Sequence, residues 1–434
     1  MRRFGGILGS LLVVACGGGA AAGGGAPQPA PSSTQQSPLP SPTSVSSPQS
    51  ANCMPASTPA PTPTPSGPSP APATGLGVPS PFTIQVVANL PSPRELSFAP
   101  NGDLFVGTEY SKIYIIRNAE DQAATPQVFA DVGDQPAAGV TVALQDCSIY
   151  VGSQYAVWRI PYTIGDTQAQ SAPVKVAAIR TGSAPPGSDG DVHRSTSVAT
   201  IGNTLYAGVG SSCNACTEID PTRATIQQMG LDGSHMTTKA TRFRNPIALT
   251  VNPQTGTLWA GGAGQDKLPT GHPYEFFDPV SLHSGLADYG WPECEENHIA
   301  YTPGANCAST IAPRVEFPAY QTIISAVFYP ANPSGSYAFP AQYRGGVFVS
   351  MHGSWHTPNG CTLPPRVAFV PMNGDTPVTP VDWSDPTKQW TDFVTGFQPG
   401  CTNRIGHATG ITVGPQGDLF LADDQTGNIY RIRP

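Results

Sequence analysis

From about residue 82 to the C-terminus, apolar and polar residues alternate in short runs, and each run is closed by Gly, Pro, Asn or Asp. Alternation of this kind marks half-buried strands broken by turns, not the 3.6-residue stripe of a helix. The clearest case is residues 241–266, TRFRNPIALTVNPQTGTLWAGGAGQD. Here Ile247, Leu249 and Val251 alternate, residues 252–256 supply a turn, and residues 258–260 begin the return strand. The unit repeats. LSFAPNGDLFV at 96–106 is answered by ITVGPQGDLFL at 411–421, with weaker copies at 140–151, 197–208, 247–261 and 343–350. A third strand follows in several of them, at 112–117, 156–160 and 428–432. Six such units predict an all-β chain folded as a six-bladed β-propeller, with long insertions between the later blades. Residues 82–87 are expected to join the last strands and close the ring. A stacked pair of sandwiches is the competing arrangement.

The first 80 residues follow other rules. Arg2 and Arg3, an apolar run at 7–15 and small residues before Cys16 read as an export signal too short to span a bilayer. Val13-Val14-Ala15-Cys16 resembles the lipobox of bacterial lipoproteins, which implies acylation of Cys16 and an envelope location; a secreted protein with Cys16 unmodified is the alternative. Residues 17–80 are Gly, Ala, Pro, Ser, Thr and Gln with few large apolar side chains, a composition that cannot offset chain entropy by burial. They are expected to form a disordered Pro-rich tether carrying no site, so the organisation is 1–16 leader, 17–80 linker and 81–434 propeller.

Composition narrows the function. Charged residues make up 12%, the net charge is −8 and no basic run occurs, which argues against nucleic acid or an acidic membrane surface as the main partner. Nine cysteines in an exported chain suggest disulfides. Cys213-Asn-Ala-Cys216 has no second Cys pair beside it, so a local loop disulfide is favoured over a metal or redox motif. Cys294 with Cys307 and Cys361 with Cys401 are plausible closures, and Cys147, in a strand-like run, is expected as a buried free thiol.

His193 stands just before the hairpin at 197–208, and Arg244-Asn245 holds the same place one blade later. In a propeller these positions converge on one mouth of the central channel. A His can act as a base near neutral pH, Arg suits carboxylates and developing oxyanions, and Asn both donates and accepts. Taken singly, a surface His and an inter-blade Arg are the plainer explanation; their matching positions favour a site.

His193, Phe243-Arg-Asn-Pro246, Asp288-Tyr-Gly-Trp-Pro292, His352-Gly-Ser-Trp355 and Leu421-Ala-Asp-Asp424 occur in the order seen in the soluble quinoprotein glucose/sorbosone dehydrogenase family. The chain resembles that family from residue 82 to its end, with Ser211-Ser-Cys-Asn-Ala-Cys216 similar to the sorbosone-dehydrogenase-like branch. The resemblance implies a six-bladed propeller using pyrroloquinoline quinone (PQQ) and calcium to oxidise a sugar or related alcohol or aldehyde. It implies that His193 removes the hydroxyl proton and that Arg244, with Asn245 beside it, stabilises the reduced quinone. Trp355, Arg404 and His407 would also contact the cofactor. Gly264 and Gln265 would offer carbonyls to a calcium ion, and Glu275 with Asp288 and Tyr289 would hold a second one. Electrons would leave to a cytochrome or quinone partner in the envelope.

The chain departs from the family in three places. His407 stands where an Arg is usual, with Arg404 three residues earlier; His356 and Thr357 replace Asn and Arg; and no Lys accompanies Trp355. Loss of cations leaves room for a non-catalytic, surface-tethered binding propeller. A calcium-dependent lactonase-type hydrolase is the third possibility, since the fold alone does not decide.

Overall fold

Short alternating runs separated by Gly and Asn turns can bury only one face at a time, so each group of four strands forms a small twisted sheet that must pack against its neighbours. A computed structural model describes residues 53, 70–120, 125–188, 190–268, 271–357 and 360–434. Six blades are present. Their inner strands are Pro93–Phe98, Gly139–Ala143, Thr196–Ile201, Ala248–Val251, Ile323–Phe328 and Ala408–Val413, for blades I to VI in turn. Each packs against the next around one axis, and Ala408–Val413 meets Pro93–Phe98 to complete the circle. The leader, Cys16 and nearly all of the tether lie outside the described residues. No helix among the described residues is long and apolar enough to cross a membrane.

Blade VI is built from both ends of the propeller. Leu419–Asp423 and Asn428–Arg433 come from the C-terminus, and Thr83–Asn89 adds the outer strand with Ile84 opposite Ile432 and Val86 opposite Tyr430. The expected closure at 82–87 is therefore the one observed. Residues 71–72, which composition placed in the tether, extend the same sheet by pairing with Val86 and Gln85. Aromatic side chains fill the gaps between blades. Phe82, Phe339, Phe348, Phe393 and Phe397 are buried in one cluster between blades V and VI, and Trp259, Phe277 and Phe317 in another between blades IV and V.

Two readings of the sequence need correction. The repeat at 343–350 is only the second strand of blade V: its partner is Ile323–Phe328, separated by a Pro-rich loop that ends in a short 3-10 turn at Ala341–Tyr343. Cys147 is not a free thiol. It sits at φ 51° in the turn after Gly139–Ala143, half-buried, and is joined to Cys53 of the tether. The other three expected disulfides are present: Cys213–Cys216, Cys294–Cys307 and Cys361–Cys401.

The small residues that end each second strand have a steric cause. The backbone entering the next blade crosses directly over them: an added Cβ at Gly152 would lie 2.3 Å from the Thr196 carbonyl oxygen, and one at Gly208 1.9 Å from that of Pro246. Close packing of this crossing is what fixes residues 193–196 and 244–246 at the mouth. Gly208→Ala should therefore cost about 3 kcal/mol in urea unfolding, since neither backbone can yield without moving a blade. A loss under about 0.5 kcal/mol would mean the crossing is slack.

Candidate active site

Inner strands begin at the mouth, so the residues just before them, and the loops after the second strands, share one face. A cavity of about 360 Å³ opens there, at the small end of the range for ligand sites. It brings together His193, Arg244, Asn245, Gly264, Glu275 and Trp355, all singled out from the sequence, with Val192, Asn214, Asp266, Lys267 and Thr322.

His193 is half-buried, and Arg180 holds its segment by donating to the carbonyl oxygens of His193 and Ser195 at 2.9 and 3.0 Å. Its Nδ1 lies 3.1 Å from the Ser211 carbonyl oxygen and 2.9 Å from Ser211 Oγ. A carbonyl only accepts, and the Ser211 hydroxyl already donates to the Cys213 carbonyl at 2.7 Å. Nδ1 must therefore carry the proton, which leaves Nε2 as the ring's acceptor. Burial, together with the charge of Arg244, holds the imidazole well below its usual pKa, so it is neutral at pH 7.

Arg244 is buried. Its Nε donates to the Asn214 carbonyl at 3.1 Å, and Nη2 to Asn214 Oδ1 at 2.9 Å and Asp266 Oδ2 at 3.0 Å. Glu275 is also buried, and burial pushes its carboxyl up to about 8 in spite of the backbone amides of Thr322 and Ile323. At neutral pH it is mostly uncharged. The charges left on the cavity wall are those of Arg244, Lys267 and Asp266, a net positive balance suited to an anion. Trp355, 67% exposed, forms an apolar lip.

Other expected site residues stand apart. Arg404 braces the loop that carries Trp355, donating to the Ser354 and Leu363 carbonyls and to Gln398. His407 donates from Nδ1 to Asp424 at 3.1 Å, in a group with His352 and Arg94 on the side of the mouth formed by blades V, VI and I. Burial opposes ionisation of Asp424, but these hydrogen bonds and the Arg94 charge hold it far below the usual carboxylate range. One donor atom each from His352, His407 and Asp424 lies within 4.8 Å of the others, a set that could take a cation. The Cys213 and Cys216 sulfurs, near Glu218, are joined to each other instead.

The expected second calcium set is not assembled. Asp288 is clamped by Arg242 at 2.7 and 2.8 Å, Tyr289 donates to buried Asp278 at 2.8 Å, and Glu275 faces the cavity. Gln265 directs its side chain at the Pro292 carbonyl and Glu295 rather than into the cavity. Lys267 adds a cation to the cavity wall, whereas Arg94 lies outside that lining and is paired with Glu109 and Asp424. Asn214 was missed because its only signal was its place between two cysteines, and Lys267 because nothing marks its loop as turning inward.

A family model described as TrAA12-like matches residues 287–434. No curated protein matches the chain in sequence. Among solved structures, it is similar to the holo form of the pyranose dehydrogenase PQQ domain from Coprinopsis cinerea, at 17% identity and a TM-score of 0.67, over 84% of this chain and 98% of that one. The calcium structure of the Trichoderma reesei Carbohydrate-Active Enzymes Family AA12 protein gives 17% identity and 0.64, over 84% and 97%. The PQQ-bound aldose sugar dehydrogenase from Streptomyces coelicolor gives 16% and 0.53, over 82% and 99%. At these identities the structures speak to the fold, and that fold is the six-bladed propeller expected from the repeats. The family match adds sequence to shape: over residues 287–434, about a third of its length, this chain is similar to the TrAA12-like family.

Proposed function

We propose that the mouth cavity binds PQQ and that the protein is a quinoprotein sugar oxidoreductase, oxidising a sugar or a related polar alcohol or aldehyde. The observation that carries this reading is a neutral His193, its Nδ1 proton fixed by Ser211, in one cavity with the buried guanidinium of Arg244. The donor set fits the group: two cations and two amides for a planar polyanion, with an indole at the lip. When bound, PQQ supplies the two-electron acceptor for the substrate's hydride.

His193 accepts the hydroxyl proton of the substrate at Nε2, and burial keeps it unprotonated and ready at neutral pH. Arg244, held from behind by Asn214 and Asp266, presents fixed positive charge where negative charge develops, with no reorganisation needed. Asn245 and Lys267 orient the bound anion, and Trp355 shields it from water. Oxygen donors of the loop at Gly264 are the candidates for a calcium ion next to it. The fold shared with a pyranose dehydrogenase PQQ domain and an aldose sugar dehydrogenase supports the sugar as substrate. Electrons then pass to a cytochrome or quinone in the cell envelope, where Cys16, as a lipidated N-terminus, keeps the enzyme. The competing reading of a non-catalytic binding propeller rests on missing cations, and Lys267 at the cavity weakens it.

Titration of PQQ into the protein with calcium present, followed by quinone absorbance, should show tight binding; its absence would remove the reading. His193→Ala should lower kcat about 10²–10⁴-fold while PQQ stays bound. Equal turnover in wild type and variant would exclude His193 as the base. The pH dependence follows from Glu275. As pH rises through about 8 its proton leaves and a negative charge forms near Arg244, so PQQ affinity should fall across that window. Glu275→Gln should flatten the curve; an unchanged slope would assign it to another group.

A further inference from the structure

His193 and Arg244 come from the entrances of two different blades, yet one short segment holds both. It is residues 211–216, Ser-Ser-Cys-Asn-Ala-Cys, in the loop after Thr204–Val209. Ser211 accepts the hydrogen bond from His193 Nδ1–H, and its own hydroxyl donates to the Cys213 carbonyl. The Ser211 amide also donates to the Arg244 carbonyl at 2.8 Å, tying the two entrances together.

Asn214 sits between the cysteines and carries more of the load. Its carbonyl accepts from Arg244 Nε at 3.1 Å and from the buried Trp291 indole at 3.0 Å. Its Oδ1 accepts from Arg244 Nη2 at 2.9 Å and from the Asp266 amide at 2.8 Å, while its Nδ2 donates to the Asp266 carbonyl at 2.8 Å. With donor and acceptor both engaged, the amide has a single orientation, and Arg244 is gripped by Asn214 on two atoms and by Asp266 on a third contact.

Apolar packing under this loop is slight. Ala215, Thr217 and Ile219 are exposed, and the apolar cluster under it consists of Cys213, Ala224 and Trp291 with Cys216 at its edge. The Cys213–Cys216 bond closes a ring around Asn214 and Ala215 instead. A ring so short removes little entropy from the unfolded chain, so its effect is local rather than on overall stability.

We propose that Asn214 is a positioning residue and that the Cys213–Cys216 ring is the brace that sets Arg244 and His193 for chemistry. The inference rests on the roles given to those two residues above. It also assigns a use to a Cys-x-x-Cys pair whose sulfurs are bonded to each other.

Two variants test it, Asn214→Ala and the double variant C213S/C216S, with two readouts that need no cofactor. The first is the rate at which phenylglyoxal modifies Arg244, mapped by peptide mass against exposed Arg194 as internal reference. The second is the His193 titration followed by NMR. In both variants Arg244 should react roughly tenfold faster, because Asn214→Ala removes the Oδ1 contact to Nη2 and opening the ring frees the Asn214 carbonyl to leave Nε. The His193 titration should move up, since a loosened Arg244 lowers it less. Melting temperature should stay within a few degrees of wild type. In the PQQ-loaded protein, kcat should fall roughly tenfold with substrate KM little changed. Wild-type labelling and titration in Asn214→Ala overturn the proposal, and that variant decides the matter even where C213S/C216S does not fold. A wild-type protein that binds no PQQ removes the functional reading instead, and the labelling and titration still decide the brace.

Discussion

A ring of sheets holds together only if its first and last strands meet, and here that contact is the pairing of Thr83–Asn89 with Asn428–Arg433 in blade VI. Each blade alone is a four-stranded sheet with two faces to cover and no layer of its own to cover them. Covered on both sides by neighbours, it needs no other layer, and the aromatic clusters between blades supply the burial. Opening the ring at blade VI would expose Phe82 and its partners Phe339 and Phe393 at once. The mouth depends on the same closure, because His193, Arg244 and Trp355 belong to three different blades and meet only while the circle is intact.

Closure also explains the electrostatics of the mouth. Loops from several blades crowd polar groups into a space partly screened from water, where a charge persists only with partners. Arg244 has Asn214 and Asp266, Arg94 has Glu109 and Asp424, and Arg180 has four backbone and hydroxyl oxygens. Groups held by neutral donors alone shed their charge instead: burial raises Glu275 and Glu295 to about 8 and about 7 despite the Ile323 amide and the Gln265 side chain. The outcome is a cavity whose fixed charges are mostly cationic and in which Glu275 is uncharged near neutral pH.

The propeller was legible because its signal is repetition. Alternation, turn residues and a recurring Asn-Gly-Asp or Gln-Gly-Asp motif each depend on a few neighbouring positions, and the same physics acts six times. The meeting of His193, Arg244 and Asn245 at one mouth was legible for a related reason, since they stand at matching places before the inner strands of their repeats. Lys267, Asn214 and the engagement of Arg404 with the Ser354 and Leu363 carbonyls were not. They lie in insertions, where direction is decided by contacts with distant segments and no period exists to read. Cys147 failed for the same reason: its partner is 94 residues away, in a stretch whose composition pointed only to disorder.

That crosslink has a geometric meaning. Cys147 lies in the turn at the far end of an inner strand that starts at the mouth, so Cys53 is fastened to the face opposite the cavity. Whatever precedes Cys53 therefore joins the propeller at its back, leaving the loops around the mouth without a covalent link to the first part of the chain.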